Sequence, residues 1–324
     1  MSHIYIYSPS SAVRDKPGFR RGVARLRAQG HNVEIDEAAL TSHLRFAGDD
    51  ATRIAAIGRA AASRADVALI SRGGYGLTRI LPDLPYRKIA KAVERGTQFV
   101  GLSDFTALQL ALLARTGTVS WAGPALGEDF GVEGEPDEIM QACFDDLLAG
   151  QGEGAGWRLP LPRRGRKLAQ TPAGTDAKTS ADAAVLSVDF HIGNATLWGG
   201  NLAVLTSLLG TPYWPEVKGG VLFLEDVNEH PFRIERLLTQ LLHAGVLARQ
   251  KAIVLGQFNR YKLVPHDRGY QMATVVQWLQ AQLKTPVFTG LPFGHVPTKV
   301  LLPVGAKVEL AVEGRDALLV WGHL

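Results

Sequence analysis

The chain has 324 residues, of which 46% are hydrophobic and 20% charged, with a formal net charge of +4 and a single cysteine. It is long for one domain and ordinary in composition for a soluble protein, and it has too few cysteines for an internal disulfide or a cysteine-based zinc site. No apolar run approaches the roughly 18 residues of a membrane span.

Met1–Tyr7 has neither a basic stretch nor a long apolar core, so no signal peptide is expected and the compartment is read as cytoplasmic. The one dense basic cluster, Arg163-Arg164-Gly165-Arg166-Lys167, lacks interleaved aromatics, which argues against a nucleic-acid partner.

Ile4-Tyr5-Ile6-Tyr7 reads as a first strand ending in the turn-rich Ser8-Pro9-Ser10-Ser11. A helix follows from Gly18 to Gln29, with Gly30 as C-cap, and Val33-Glu34-Ile35 is a second strand. Asp49-Asp50 open an alanine-rich helix through Arg64. Val67-Ala68-Leu69-Ile70 is a third strand, running into Arg72-Gly73-Gly74-Tyr75-Gly76. Helix 87–95, strand 97–102, helix 105–115, strand Val119–Trp121 and helix 136–148 continue the pattern. This alternation predicts an α/β domain over 1–150, a doubly wound parallel sheet of flavodoxin/glutamine-amidotransferase-like type. Its ligand crevice would lie beyond the carboxyl ends of the strands, where Ser8-Pro9-Ser10, Arg72–Gly76, Ser103 and Gly123-Pro124 all fall.

From 151 to 184, Gly, Ala, Pro, Thr and basic residues dominate without periodicity, which reads as an interdomain linker with a mobile loop. Residues 185–324 read as a second, smaller mixed α/β domain. Its strands are expected near Val185–Val188, Ala195–Trp198, Gly219–Asp226, 252–255, 286–289, Val308–Val312 and Leu318–Trp321. Its helices are expected over 202–209, from Pro231, and over 270–283, the second with Phe232, Ile234, Leu237, Leu238, Leu241 and Leu242 on an apolar face.

The first domain is organised around Phe99-Val100-Gly101-Leu102-Ser103-Asp104-Phe105. A buried strand ends at Ser103, and Phe105, Leu108, Leu112 and Leu113 then follow at helical spacing. A serine on such a strand-to-helix turn stands beside free N–H groups of the helix, which suits a nucleophile. The competing account is that Ser103 or Asp104 merely caps the helix.

A serine nucleophile needs a base and an orienting carboxylate. Of the nine histidines, His295 stands out in the stiff loop Gly290-Leu291-Pro292-Phe293-Gly294-His295-Val296-Pro297, with His266 as runner-up. Glu225 and Asp226 end an apolar strand, and alternation places them on opposite faces. Either could orient an imidazole, or simply pair with Arg233 or Arg236. The Arg72–Gly76 loop could offer backbone N–H groups to an anion, but it lacks the patterns of nucleotide-binding loops. No residues show metal-ligand spacing, so no metal and no cofactor are expected.

Several further stretches occur in order: Phe46-Ala47-Gly48-Asp49-Asp50 with Arg53, Ser71–Gly76 with Arg79-Ile80-Leu81-Pro82, Gly101–Asp104 with Thr106-Ala107-Leu108, and Gly123-Pro124. Gly199-Gly200-Asn201-Leu202, Gly210–Tyr213, Leu222–Asp226, Arg233–Arg236 and Gly294-His295 follow. Together this set resembles the LD-carboxypeptidases, serine peptidases acting on murein tetrapeptide. The resemblance implies a Ser-His-Glu triad assembled across two domains, with Ser103 as nucleophile, Glu225 as orienting carboxylate and His295 as base. It also implies removal of a terminal D-alanine in cytoplasmic cell-wall recycling by a metal-free homodimer. The N–H groups of Asp104 and of Gly73 or Gly74 are the oxyanion-hole candidates, and Arg72, Tyr75 and Trp121 the substrate contacts.

Where relatives commonly carry His-Gly-Pro, this chain has Trp121-Ala122-Gly123-Pro124. A related branch, the microcin immunity peptidases, cleaves aminoacyl-nucleotide conjugates. Trp121 could stack on a base, making that branch the enzymatic alternative. A non-enzymatic protein closing two domains around an anion is the alternative from another class.

Overall fold

A computed structural model of the chain describes residues 1–161 and 189–323. The first half runs β1 (His3–Tyr7), α1 (Lys16–Ala28), β2 (Asn32–Ile35), α2 (Asp50–Ala62), β3 (Val67–Ile70) and α3 (Leu77–Ile80). It continues with α4 (Tyr86–Glu94), β4 (Gln98–Gly101), α5 (Thr106–Thr116), β5 (Ser120–Ala122) and α6 (Glu138–Ala149). Strands pair in the order β2-β1-β3-β4-β5, all parallel. Every residue of β3 is buried, because helices cover both faces of such a sheet. This is the doubly wound arrangement expected from the alternation, and its order reverses direction at β1 and β3. α2 and α6 start where short polar side chains cap them: Asp49 accepts from Thr52 N at 2.8 Å, and Asp137 from Met140 N at 3.1 Å.

The second half contains β6 (Gly154–Arg158), β7 (Phe190–Asn201), α7 (Leu202–Ser207), β8 (Val221–Val227), α8 (Pro231–His243) and β9 (Ala252–Asn259). It ends with α9 (Met272–Gln282), β10 (Val287–Thr289), β11 (Leu302–Val304), β12 (Lys307–Glu313) and β13 (Asp316–Val320). A mixed sheet orders these strands β10-β9-β8-β7-β12-β13-β6, parallel from β10 to β7 and antiparallel beyond.

Two segments depart from the sequence expectation. Most of the expected linker, together with the strand near Val185–Val188 and the basic cluster at 163–167, lies outside the described residues. Within the described part, Gly154–Arg158 is not irregular but an edge strand paired with β13. Its Gly-Ala-Gly-Trp-Arg sequence has no apolar run, so its strand character comes from the partner. β11, unexpected in so short a Leu-Pro-Val segment, crosses back to the first sheet and pairs antiparallel with β5, Pro303 opposite Trp121. Proline is tolerated there because β11 is an edge.

Along α8, Ile234, Leu238 and Leu241 are buried as the periodicity required. Phe232 instead stands exposed, with the Arg236 guanidinium 5.6 Å over its ring. Among the described residues no helix is long and apolar enough to cross a membrane.

Candidate active site

Ser103 follows β4 directly and opens a single 3-10 turn, Ser103–Phe105, that leads into α5. Its φ is +65°, a left-handed conformation that costs an L-residue about 1–2 kcal/mol. The turn reverses the chain within one residue and leaves the hydroxyl beyond the strand end, beside first-turn N–H groups that have no intrahelical partner. Neither Ser103 nor Asp104 caps the helix. The caps of the turn and of α5 are Leu102 and Phe105, with no side-chain bond. Gly73 packs against this serine so closely that a Cβ there would sit 2.6 Å from Ser103 Cβ and 2.9 Å from its Oγ.

The Asp104 side chain turns inward and stitches the crevice together. It accepts from Ser10 Oγ, in the loop after β1, and from Leu77 N at 2.9 Å, at the start of α3. Burial raises its pKa, and these hydrogen bonds oppose the rise. Ser11 Oγ accepts the Tyr75 N–H at 3.0 Å, and the buried Arg53 donates to Gly76 O at 2.8 Å. The loops after β1 and β3 are thereby fixed around the point where strand order reverses, the usual ligand position in this architecture.

The candidate acid–base pair comes from the other sheet. Glu225, at 0% exposure, lies near the end of β8, and its Oε2 is 2.8 Å from His295 Nδ1. With the carboxylate ionised, Nδ1 carries the proton and donates it, leaving Nε2 free to accept another. Burial works against the imidazolium, but the hydrogen bond and charge of Glu225 prevail and raise the His295 pKa above its ordinary value. The His295 carbonyl accepts from Asn259 Nδ2 at 2.8 Å, which fixes the loop to β9. A cleft of roughly 300 Å³ opens beside His295, with Glu128, Arg260 and Lys299 among its walls.

Asp226 does not point away from Glu225, as strand alternation predicts. A register shift against β9 between Leu224 and Asp226 lets both carboxylates reach Asn201 Nδ2, at 3.2 Å from Glu225 and 3.0 Å from Asp226. Neither pairs with Arg233, whose partner is Glu229. Asn201 is also the joint between the two sheets, its N–H donating to Thr106 Oγ1 at 3.0 Å, three residues beyond the serine. Gly200, at φ +129°, permits this approach, since a Cβ there would lie 2.5 Å from that hydroxyl. Glu225 and His295 are thus linked through one short polar path to Thr106, at the start of the helix that follows Ser103. Among the described residues, no hydrogen bond joins Ser103 directly to His295. Contacts of that kind commonly tighten with substrate.

A family model described as the LD-carboxypeptidase N-terminal domain matches residues 4–123, and one described as the C-terminal domain of the same family matches residues 194–310. The chain belongs to the LD-carboxypeptidase family.

By that membership it is a serine-type carboxypeptidase. The crystal structure of muramoyltetrapeptide carboxypeptidase from Oxalobacter formigenes is similar at a TM-score of 0.81 and 35% identity, covering 99% of each chain. A Bacillus subtilis protein named "Probable murein peptide carboxypeptidase" is 28% identical over 300 residues, 92% of this chain and 85% of its own. The microcin C7 self-immunity protein MccF of Escherichia coli is 26% identical over 268 residues, 78% of this chain and 73% of its own.

The remaining site expectations for this carboxypeptidase divide. Arg72 and Tyr75 do lie on the crevice loop, Tyr75 at 45% exposure and tilted against Phe46. Trp121 does not line the crevice. It is 3% exposed, donates its indole N–H to Gln98 Oε1 at 2.8 Å at the far end of β4, and packs edge-on against Trp321. Trp321 packs on its ring and β11 pairs beside it, and with that the base-stacking argument for nucleotide conjugates loses its residue. His266 is exposed in a one-turn helix, Pro265–Asp267.

Sequence reasoning assigned no role to Asn201 or to the buried pair Lys299–Asp129. Asn201 follows two glycines at a strand end, a signal of close approach. Lys299 and Asp129 lie 170 residues apart, with nothing local to connect them.

Proposed function

We propose that this carboxypeptidase releases the terminal D-alanine of murein tetrapeptide, with Ser103 as nucleophile, His295 as general base and Glu225 as its orienting carboxylate. The observation that carries the reading is the buried Glu225–His295 hydrogen bond, joined through Asn201 and Thr106 to the strained turn of Ser103. Relatives named for murein peptides support the substrate class.

In the proposed reaction His295 Nε2 takes the Ser103 proton as Oγ attacks the scissile carbonyl. Nδ1–H stays on Glu225, which stabilises the imidazolium. The oxyanion is met by the N–H of Asp104 and by that of Gly73 or Gly74, donors already oriented before charge develops. His295 then protonates the departing D-alanine amine, and water resolves the acyl-enzyme by the reverse sequence of proton transfers. The enzyme would work in the cytoplasm, as its single cysteine suggests, and as a homodimer, as family resemblance implies.

The test is mass spectrometry of wild type and Ser103→Ala, each incubated with L-Ala-γ-D-Glu-meso-diaminopimelyl-D-Ala. Loss of one D-alanine with wild type alone supports the reading. Cleavage by both assigns the chemistry elsewhere, and cleavage by neither removes this substrate.

A further inference from the structure

We propose that Arg72, backed by Arg45, binds the free C-terminal carboxylate of the peptide substrate. The proposal rests on the carboxypeptidase reading above and names the part of the site that makes the enzyme an exopeptidase.

Covalent geometry limits where such a group can be. The terminal carboxyl carbon is separated from the scissile carbonyl carbon by an amide nitrogen and one Cα, so the two lie no more than about 4 Å apart. The group that binds the carboxylate must therefore have its donors close to the nucleophile, which a side chain on the adjoining segment satisfies. Arg72 immediately precedes Gly73, the residue packed against Ser103.

The Arg72 side chain folds back along its own loop. Nη1 donates to Ala12 O at 3.1 Å, and Nη2 lies 3.7 Å from where a Cβ of Gly74 would stand. Ala12 in turn donates its N–H to Arg45 O at 3.0 Å, and the Arg45 guanidinium lies 5.7 Å over the Tyr75 ring. Two segments far apart in sequence thus gather positive charge at the carboxyl end of β3, held by the backbone of Ala12.

That charge is not neutralised within the chain. Among the described residues, Arg53, Arg59, Arg79 and Arg233 each hold a carboxylate in an ion pair, and Arg14, Arg45 and Arg72 hold none. Burial lowers the Arg72 pKa, Glu128 opposes this, and Arg14 and Arg45 add to the lowering. Glu128 also acts on His295 and lines the cleft beside it. A half-buried guanidinium that spends one N–H on a carbonyl keeps a planar fork of donors for a ligand carboxylate.

The experiment compares the tetrapeptide with its C-terminal amide as substrates of wild type, Arg72→Gln and Arg72→Lys. Wild type should prefer the free acid by roughly 10- to 100-fold in kcat/KM, the range expected of a charge-assisted hydrogen bond. Arg72→Gln should lose that factor on the acid alone, bringing the ratio near one, and Arg72→Lys should restore part of it. An equal loss on both substrates would mean that Arg72 only shapes the loop, and no loss at all would mean it has no role; either overturns the proposal. Calorimetric titration of Ser103→Ala, with and without Arg72→Gln, repeats the comparison without turnover. Equal affinity for acid and amide in Ser103→Ala overturns the subsite even where chemistry fails. Preferred binding of the acid with no cleavage by wild type instead assigns the failure to the reaction reading.

Discussion

The carboxylates of Glu225 and Asp226, consecutive residues of β8, converge on the same side-chain amide, that of Asn201. Asp226 so placed does not ionise as an isolated carboxyl. Burial and then the charge of Glu225 push Asp226 up to about 6, while hydrogen bonds from Val227 N, Ala203 N and Asn201 oppose the rise.

This predicts a specific pH dependence of stability. Asp226 is raised from 3.8 to about 6 on folding. The folded state therefore holds its proton more tightly than the unfolded one. The associated stability is complete below the unfolded value and is lost as pH rises through the folded one, by about 3 kcal/mol at most. Asp226→Asn should flatten the fall in melting temperature between about pH 4 and pH 6. An unchanged slope in the variant would contradict the assignment.

Glu225→Gln should leave the fold intact and reduce kcat by about 10³- to 10⁴-fold, since a neutral amide holds the wrong imidazole tautomer. The His295 pKa is raised by Glu225, so kcat/KM of wild type rises with pH through a midpoint above the ordinary histidine value. In the variant that midpoint moves to lower pH. Near-normal activity in Glu225→Gln alongside a crippled Asp226→Asn would reverse the roles of the two carboxylates.

Ser103 keeps a left-handed backbone that glycine adopts freely. Ser103→Gly should abolish D-alanine release and raise stability by up to about 1 kcal/mol, measured by urea unfolding. A destabilised Ser103→Gly would show that the turn is not strained.

Gly73→Ala places a methyl group 2.6 Å from Ser103 Cβ. The hydroxyl must shift, and a displacement of this order costs on the order of 10²-fold in kcat. Phosphonate labelling of Ser103 should slow in parallel. Full activity in Gly73→Ala would mean that the serine and the loop yield without cost.

Lys299 and Asp129 form a buried ion pair between the segment after β5 and the loop that carries His295. Lys299→Met would strand a buried carboxylate, which also accepts from Ala125 N, and should cost about 3–5 kcal/mol in chemical unfolding. The double variant Lys299→Met/Asp129→Leu should recover much of it. Equal losses in single and double variants would show that the pair does not matter as a pair.

The local periodicities sufficed for the architecture of the first half. Val67–Ile70 is apolar on both faces because it is covered on both, and α1, α2 and α6 each begin at a capping aspartate. The turn at Ser103 was legible for the same reason, since an apolar strand meeting a helical period must bend sharply there. His295 stood out by its glycine and proline neighbours, and the roles proposed for Glu225 and His295 came from the resemblance carried by an ordered set of motifs.

What sequence could not decide were relationships made by distant segments. Alternation put Asp226 opposite Glu225, but a register shift set by pairing with β9 brought them together. Trp121 reads as a crevice residue until Trp321, 200 positions later, packs against it. Asn201 bridges the two sheets, and Lys299 meets Asp129 across 170 residues. Each depends on which strand edges and loops the chain packs together, a choice made by burial over the whole molecule and not by any local pattern.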